Sequence, residues 1–246
     1  MYCICLICLT PNTIWLDFFS KFTNYDIVII IDDNSIDYTI KYKSYTNIKC
    51  IQIKNEECNK NGFVNMNFCI NKKISGWDKA IFYFSNINTS YTNVWFIEDD
   101  VFFYDENTLL NIDKKYNDIN LLTAPYKENS TGHKDDWHWK KINIKSKPPY
   151  YYSMVCATRI SRILLSKIKD YAIKYKTLFF LETLFPTLCK SNNLQYDIPD
   201  ELHTIVYRKI YTIEDINKNN LYHPIKDITK HTLYRNKLDE NTHTSN

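Results

Sequence analysis

Residues 94–103 read Val-Trp-Phe-Ile-Glu-Asp-Asp-Val-Phe-Phe, an apolar run that three consecutive carboxylates interrupt. A run of this kind predicts a buried strand. Charges inside such a strand are costly unless they are paired or bound to a cation, so Glu98, Asp99 and Asp100 are more than solubilising charge. A hard divalent cation that accepts carboxylate oxygens is the simplest compensation. The stretch therefore predicts a metal site of the kind found in enzymes that handle phosphorylated substrates.

The composition of the 246-residue chain is that of an ordinary globular protein, 44% hydrophobic and 24% charged, with enough apolar residues for one large α/β domain. A formal net charge of +3 is too small to indicate nucleic acid binding by itself. With three glycines, the chain has no glycine-rich phosphate-binding loop. The apolar residues 1–9 are too short for a membrane span, which needs about 20 residues, and lack the basic leader of a secretory signal. The sequence therefore predicts a soluble, cytoplasmic protein.

Eight cysteines are present, and their placement favours free thiols over disulfides. Cys3, Cys5 and Cys8 lie in an apolar N-terminal run, and Cys156 and Cys189 also lie in apolar stretches. Free cysteine packs as a small hydrophobic residue. We expect buried, reduced thiols and no structural zinc site.

The first half of the chain alternates strand and helix patterns. Strands are predicted at 2–9, 26–31, 48–53, 94–103 and 120–124, and helices at 15–22, 66–70 and 77–84, with a short helix after the second strand that is capped by either Ser35 or Asp37. Continuously apolar strands separated by helices predict an α/β fold with a mostly parallel central sheet and helices on both faces. In such sheets ligands bind beyond the carboxyl ends of the strands. Thr10 follows the first strand, Asp32 and Asp33 follow the second, and residues 98–100 lie at the fourth, so we expect these polar residues to share one cleft.

The second half is less regular. We expect a long polar loop at 127–147, a strand at 150–157, an amphipathic helix at 159–175, a further apolar segment at 177–188, and a disordered tail at 237–246. No linker divides the chain, so we predict one domain over residues 1–236.

Three motifs in this order resemble nucleotide-sugar-dependent glycosyltransferases of the GT-A fold, which is Rossmann-like. They are Ile-Ile-Ile-Asp-Asp-Asn-Ser at 29–35, Phe-Ile-Glu-Asp-Asp-Val at 96–101 in the position of the D-x-D motif, and Phe-Leu-Glu-Thr-Leu-Phe-Pro at 180–186. The resemblance covers roughly residues 1–225. It implies a nucleotide-sugar-binding half at 1–125, a less regular acceptor-binding half at 126–236, and transfer of a hexosyl or N-acetylhexosaminyl group.

By this resemblance the carboxylates at 98–100 hold Mn²⁺ or Mg²⁺. Asp100 is implied as the principal ligand, with Glu98 or Asp99 supporting it. The Glu-Asp-Asp variant leaves the ligand register open by one residue, and the alternative is a carboxylate pair that caps the next helix. A late histidine, His223, is implied as a further metal ligand, with Lys226 on the pyrophosphate.

The resemblance also implies the donor contacts. Asp32 and Asp33 are expected to accept hydrogen bonds from the nucleoside, and Thr10 to contact the base or ribose, with a UDP-sugar as the expected donor. An Asx-turn with Asn34 is the alternative interpretation of the two aspartates. Lys79, near a predicted helix start, is expected to reach the donor phosphates.

Glu182 stands among Phe and Leu residues, where burial raises the pKa of a carboxyl toward that of a general base. The resemblance implies that it deprotonates the acceptor hydroxyl, as in an inverting enzyme. The alternative is an outward-facing residue on an amphipathic helix.

Two other functions remain open on sequence grounds. A nucleotidyltransferase also uses acids on strands with Mg²⁺, but the scarcity of glycine counts against its triphosphate loop. A non-catalytic carbohydrate-binding module is the other alternative, because Trp137, Trp139 and residues 150–152 supply aromatic faces that suit sugar rings.

Overall fold

The computed structural model describes residues 2–67, 73–87, 91–134, 139 and 142–243. Its central sheet has seven strands in the order β3-β2-β1-β4-β8-β5-β9, and β6 and β7 form a separate two-stranded sheet. The strands are β1 (Tyr2–Cys8), β2 (Asp26–Ile31), β3 (Ile48–Gln52), β4 (Asn93–Glu98), β5 (Leu121–Leu122), β6 (Tyr126–Asn129), β7 (Tyr150–Ser153), β8 (Ala157–Ser161) and β9 (Tyr196–Asp197). The helix predicted at 66–70 and part of the loop predicted at 127–147 fall on residues outside these described ranges.

The prediction of an α/β fold with a mostly parallel sheet is confirmed. Strands β3, β2, β1 and β4 are parallel neighbours, and β5 is parallel to β9. Strand β8 runs antiparallel to both β4 and β5. The parallel half of the sheet therefore places the carboxyl ends of β1, β2 and β4 at one edge.

The helices are α1 (Thr13–Phe19), α2 (Tyr38–Lys41), α3 (Asn55–Lys60), α4 (Gly76–Asn86), α5 (Glu106–Lys115), α6 (Arg162–Tyr175), α7 (Leu181–Ser191) and α8 (Thr229–His243). Their first turns follow the expected capping chemistry. Asn12, Asp37 and Ser161 each accept a hydrogen bond from a backbone N–H in the first turn of α1, α2 and α6.

Two predicted elements of the second half have different boundaries. The strand predicted at 150–157 is two strands, because β7 pairs with β6 and the chain then turns into the central sheet as β8. The helix predicted from 159 consequently begins at Arg162. Arg159 lies within β8, fully buried, with its guanidinium 2.6 Å from Asp113. Periodicity alone placed this residue in a helix.

The main hydrophobic core covers both faces of the central sheet, and β1 is buried along almost its whole length. Cys3, Cys5 and Cys8 are buried free thiols within it, as predicted. No helix in the described part of the chain is long and apolar enough to cross a bilayer.

A second, smaller core joins the end of the chain to the segment after β4. It consists of Phe102, Tyr211, Ile216, Tyr222, Ile225, Tyr234 and Leu238. Because Leu238 packs there, residues 237–243 continue helix α8, in contrast to the disorder that we expected from residue 237. This core holds the late histidine segment next to the acidic end of β4.

Candidate active site

Strand β4 ends at Glu98, and the chain turns at once, with Val101 N–H donating to the Glu98 carbonyl at 3.1 Å. The prediction of a strand through residue 103 is therefore wrong. The turn directs Asp99 and Asp100 into a cleft of about 400 Å³. This cleft is lined by Thr10, Asn12, Trp15, Asp99, Asp100, Lys226 and Ile228. Asp105, and neither Asp99 nor Asp100, caps helix α5, which removes the helix-cap alternative.

Backbone pairing fixes His223 beside Asp100. Phe102 and Tyr222 exchange backbone hydrogen bonds of 2.9 and 2.8 Å, and Ile225 N–H donates to the Asp100 carbonyl at 2.7 Å. The His223 Nε2 atom consequently lies 3.4 Å from Asp100 Oδ1. The structure thus brings together two predicted metal ligands that are 123 residues apart in the sequence.

The ring of His223 is oriented by its other nitrogen. Nδ1 lies 2.7 Å from the Val206 carbonyl and donates to it, so that Nε2 faces Asp100. Asp100 Oδ1 is buried and has no hydrogen-bond partner among the described residues. Burial lowers the pKa of His223, but the nearby Asp100 and Glu98 outweigh burial and raise it overall. When the His223 ring is neutral, the lone pair of its Nε2 atom faces the carboxylate oxygen of Asp100. A cation or a proton must lie between these two atoms.

Glu98 lies on the other side of this cluster. Its Oε1 accepts a hydrogen bond from Trp77 Nε1 at 2.6 Å, and burial together with the charge of Asp100 raises its pKa. Trp77 is therefore a buried positioning residue. Asp99 is the most exposed of the three acids. Partial loss of solvent in the cleft and the charges of Asp100 and Glu98 raise its pKa to about 6.

Cys156 joins the cluster, which the sequence did not reveal. The Glu98 N–H donates to the Cys156 carbonyl at 2.8 Å, so Cys156 lies opposite Glu98 where β4 meets β8. One ligand atom each from Glu98, Cys156 and His223 lies within 4.8 Å of the others. Only the antiparallel register of β8 places Cys156 here, and an apolar setting in the sequence gives no signal of that register.

Glu182 lies in the first turn of α7 with 9% of its surface exposed, so the outward-facing alternative is wrong. Burial raises its pKa to about 7, with Glu98 adding to the increase while Tyr152 and His223 oppose it. Its Oε2 is buried without a hydrogen-bond partner in the described part of the chain. Glu182 is not among the residues that line the cleft of Asp99 and Asp100.

Lys79 does not reach this cleft. It is 1% exposed, and its ammonium donates to the Asp32 carbonyl at 2.6 Å and lies 2.8 Å from Asp32 Oδ1. The expectation that Lys79 contacts donor phosphates is therefore corrected: it neutralises Asp32 inside the protein.

Asp32 and Asp33 line a second cleft of about 430 Å³ at the carboxyl end of β2. Asp33 accepts hydrogen bonds from the Ser35 N–H at 3.0 Å, the Ser35 hydroxyl at 2.6 Å and the Tyr38 hydroxyl at 2.7 Å. These bonds lower the pKa of Asp33 to about 2. The Asx-turn alternative is confirmed for Asp33, with Asn34 as the central residue of the turn and the Ser35 N–H as the donor.

Lys226 lines the cleft of Asp99 and Asp100, and it also lines an adjoining groove of about 690 Å³. That groove carries three further basic residues, Arg208, Lys209 and Lys230. Positive side chains therefore border the acidic cluster on the side of the C-terminal segment.

The aromatic residues expected to bind sugar in a non-catalytic module are mostly internal. Trp139, Tyr150 and Tyr152 are buried, and the Trp139 ring centroid lies 6.4 Å from each of the two tyrosine rings. Trp137 lies outside the described residues. These three rings do not offer an exposed face to a glycan, which counts against the binding module.

No protein-family model matches the chain, and no curated protein matches it in sequence. Solved structures are similar to it. The 4-diphosphocytidyl-2C-methyl-D-erythritol synthase from Anaerococcus prevotii DSM 20548 aligns with a TM-score of 0.49 and 10% identity over 97% of this chain and 95% of that chain.

Two structures of LgtC also align, each with a TM-score of 0.49 and 12% identity. One is an active-site mutant, covering 96% of this chain and 96% of that chain. The other is the galactosyltransferase in complex with donor and acceptor sugar analogs, covering 97% and 96%. Similarity at this level assigns no role to individual residues.

Proposed function

We propose that this protein is a divalent-cation-dependent glycosyltransferase that moves a hexosyl or N-acetylhexosaminyl group from a nucleoside diphosphate sugar to an acceptor hydroxyl. One observation carries the proposal. Asp100 Oδ1, buried and without a hydrogen-bond partner among the described residues, faces His223 Nε2 at 3.4 Å beside an open cleft at the end of a parallel strand. Such an arrangement is completed by a cation, and a diphosphate is the natural ligand of that cation.

The donor set fits Mn²⁺ or Mg²⁺. Carboxylate oxygens of Asp100 and Glu98 and the imidazole of His223 would hold the ion, with Asp99 at the open side. A bound cation would neutralise the charge that develops on the leaving diphosphate. Lys226, exposed at the same cleft, would bind a diphosphate oxygen.

The nucleoside would occupy the cleft at the end of β2. Asp33 is preorganised there by Ser35 and Tyr38, and its low pKa keeps it ionised as an acceptor for a uracil N–H or ribose hydroxyls. Thr10 lines the cleft of the acidic cluster, and its chain neighbour Leu9 lines the cleft at the end of β2. A UDP-sugar is therefore the first donor to test.

Glu182 would act as the general base on the acceptor hydroxyl. Its pKa of about 7 suits a group that must accept a proton near neutral pH. A base on the acceptor and no covalent intermediate correspond to inversion at the anomeric carbon. Because Glu182 is 9% exposed, the acceptor has to enter the protein to reach it.

The test is a turnover assay with a panel of UDP-sugars, with a nucleoside triphosphate as the arm for nucleotidyl transfer. We expect release of UDP that stops in excess chelator and returns when Mn²⁺ or Mg²⁺ is added. Full activity in excess chelator would falsify the metal-dependent mechanism. Pyrophosphate release from the triphosphate, without UDP release from any sugar nucleotide, would instead favour a nucleotidyltransferase.

A further inference from the structure

Three chemically different ligands meet at the junction of β4 and β8. The carboxylate of Glu98, the thiol of Cys156 and the imidazole of His223 each place an atom within 4.8 Å of the other two. Cys156 and His223 are buried, and Glu98 is half-buried. Asp100 lines the open cleft and its Oδ1 lies 3.4 Å from His223 Nε2, so a cation can approach the group from the side of Asp100.

A thiolate changes which metal such a group prefers. Mg²⁺ and Mn²⁺ favour oxygen ligands, whereas sulfur together with imidazole selects zinc and its soft relatives. Tetrahedral zinc, with bonds of about 2.0–2.3 Å, holds its ligand atoms about 3.5 Å apart. The three atoms lie within 4.8 Å of one another, so they need to close by up to about 1.3 Å to complete the set.

The surroundings support metal binding independently of the three ligands. His223 Nδ1 donates to the Val206 carbonyl, and Trp77 donates to Glu98, which are the outer contacts that orient metal ligands in proteins. Asp100 Oδ1, buried and without a hydrogen-bond partner in the described part of the chain, lies 3.4 Å from the His223 Nε2 atom of this group. An unsatisfied buried carboxylate at this point indicates a missing positive group.

We propose that Glu98, Cys156 and His223 form a soft-metal site that binds a zinc-class cation. The incoming ion displaces the thiol proton of Cys156 to solvent, and the thiolate and carboxylate together neutralise its double charge. The site stands on its own geometry. Its consequence rests on the proposed function: a soft cation removes Glu98 and His223 from the hard-cation set, so zinc inhibits the enzyme that Mn²⁺ or Mg²⁺ activates.

Cadmium binding to the reduced, metal-free protein without nucleotide tests the site, because a cadmium–thiolate bond has an ultraviolet charge-transfer band. We expect one equivalent of Cd²⁺ to produce this band in the wild type and zinc to abolish it by competition. Cys156→Ser should lose the band and bind zinc at least about 100-fold more weakly. Cys50→Ser, at a partly exposed cysteine of β3, is the matched control and should keep both properties.

His223→Gln separates loss of a ligand from loss of folding. It keeps the thiol, so the band should remain while zinc affinity falls, and circular dichroism checks that each variant is folded. The proposal is overturned if the wild type shows no band, if Cys156→Ser keeps it, or if His223→Gln retains wild-type zinc affinity.

Thermal shifts by UDP with Mn²⁺ in the same variants distinguish this site from the proposed function. If the proposed function holds, Cys156→Ser keeps the Mn²⁺-dependent shift and loses its sensitivity to zinc. If the proposed function fails, wild type and Cys156→Ser both lack the UDP shift, and the cadmium result still decides the zinc site.

Discussion

Two acidic clusters lie at neighbouring strand ends of this protein, and they differ in how their charges are balanced. At the end of β2, Asp32 is paired with the buried ammonium of Lys79, and Asp33 accepts three hydrogen bonds from Ser35 and Tyr38. At the end of β4, Asp100 Oδ1 is buried with no hydrogen-bond partner in the described residues. Asp32 and Asp33 therefore have partners within the protein, whereas Asp100 Oδ1 faces the imidazole of His223 at 3.4 Å without a hydrogen bond.

This difference teaches that acidic residues at a strand end are not by themselves evidence of a metal site. A carboxylate with an oppositely charged partner contributes to stability. Removal of that partner leaves the carboxylate charge uncompensated in a low-dielectric interior. A buried carboxylate without a hydrogen-bond partner is available to bind a ligand. The same contrast predicts which substitutions affect catalysis and which affect folding.

The largest effect is expected at the cluster on β4. Asp100→Asn keeps the shape of the side chain and removes the charge, so we expect turnover to fall by roughly 10⁴-fold, about 5 kcal/mol of transition-state stabilisation. The measurement is the rate of UDP release at saturating Mn²⁺. Asp118→Asn, at an exposed residue in the turn after α5, removes the same charge from the surface and should leave the rate unchanged.

At the cluster on β2 the loss should appear in stability. Lys79→Met removes the buried ammonium that lies 2.8 Å from the mostly buried Asp32 carboxylate, which we expect to cost about 4 kcal/mol of unfolding free energy. Urea unfolding measures it, and Lys73→Met, at an exposed lysine that lines the same cleft, serves as the control. A Lys79→Met protein of wild-type stability would show that the ion pair does not balance the cluster.

Substitution of Glu182 is expected to raise the unfolding free energy in a pH-dependent way, whereas Lys79→Met is expected to lower it. Its folded pKa of about 7 exceeds the ordinary value of 4.5, so its contribution to stability is fully present below the unfolded pKa and is lost as pH rises through 7. Glu182→Gln removes that loss, and we expect a gain of up to about 3 kcal/mol at about pH 8.5 and little change at about pH 4.

The same variant should have lower turnover, by about 10²-fold or more, because the amide cannot accept a proton. Unfolding midpoints at the two pH values, with Glu57→Gln on the exposed face of α3 as control, test the stability effect. Equal midpoints for wild type and Glu182→Gln at alkaline pH would contradict the buried, high-pKa assignment.

The smallest effect concerns the orientation of Glu98. Trp77→Phe removes the indole hydrogen bond to Glu98 Oε1, and we expect Mn²⁺ affinity to fall by roughly 10-fold to 100-fold with the fold intact. Calorimetric titration of Mn²⁺ measures it. Tyr45→Phe, which removes a hydrogen bond to Asp17 outside the site, should bind Mn²⁺ as the wild type does.

Much of the parallel half of the fold was predictable because β1, β2 and β4 are almost continuously apolar and each is followed by polar residues. Residues 26–31 form a strand with the predicted boundaries, and Asp37 caps the short helix that was expected there. The second half was less predictable. β8 and the start of α6 form one amphipathic pattern in sequence, and the structure divides them at the Ser161 cap, with Arg159 buried in the strand against Asp113.

In the site, the sequence identified the acids and His223 but could not identify their partners. In the sequence, Lys79 has the position of an unpaired cation near the start of a helix. Its pairing with Asp32 depends on how α4 packs against β1 and β2. Cys156 reads as a core thiol, and its position beside Glu98 depends on the register of an antiparallel strand. Contacts between distant segments of this kind are not encoded in local patterns.

The central claim is that the acidic cluster on β4 binds a cation, and that this cation binds the diphosphate of the donor. The most direct measurement is the melting temperature of the wild type and of Asp100→Asn with UDP, each with and without Mn²⁺, because a ligand that binds only the folded state raises the melting temperature by mass action. The account predicts that UDP stabilises the wild type when Mn²⁺ is present, and stabilises neither protein without it. An equal shift with and without Mn²⁺, or a full shift in Asp100→Asn, would contradict it.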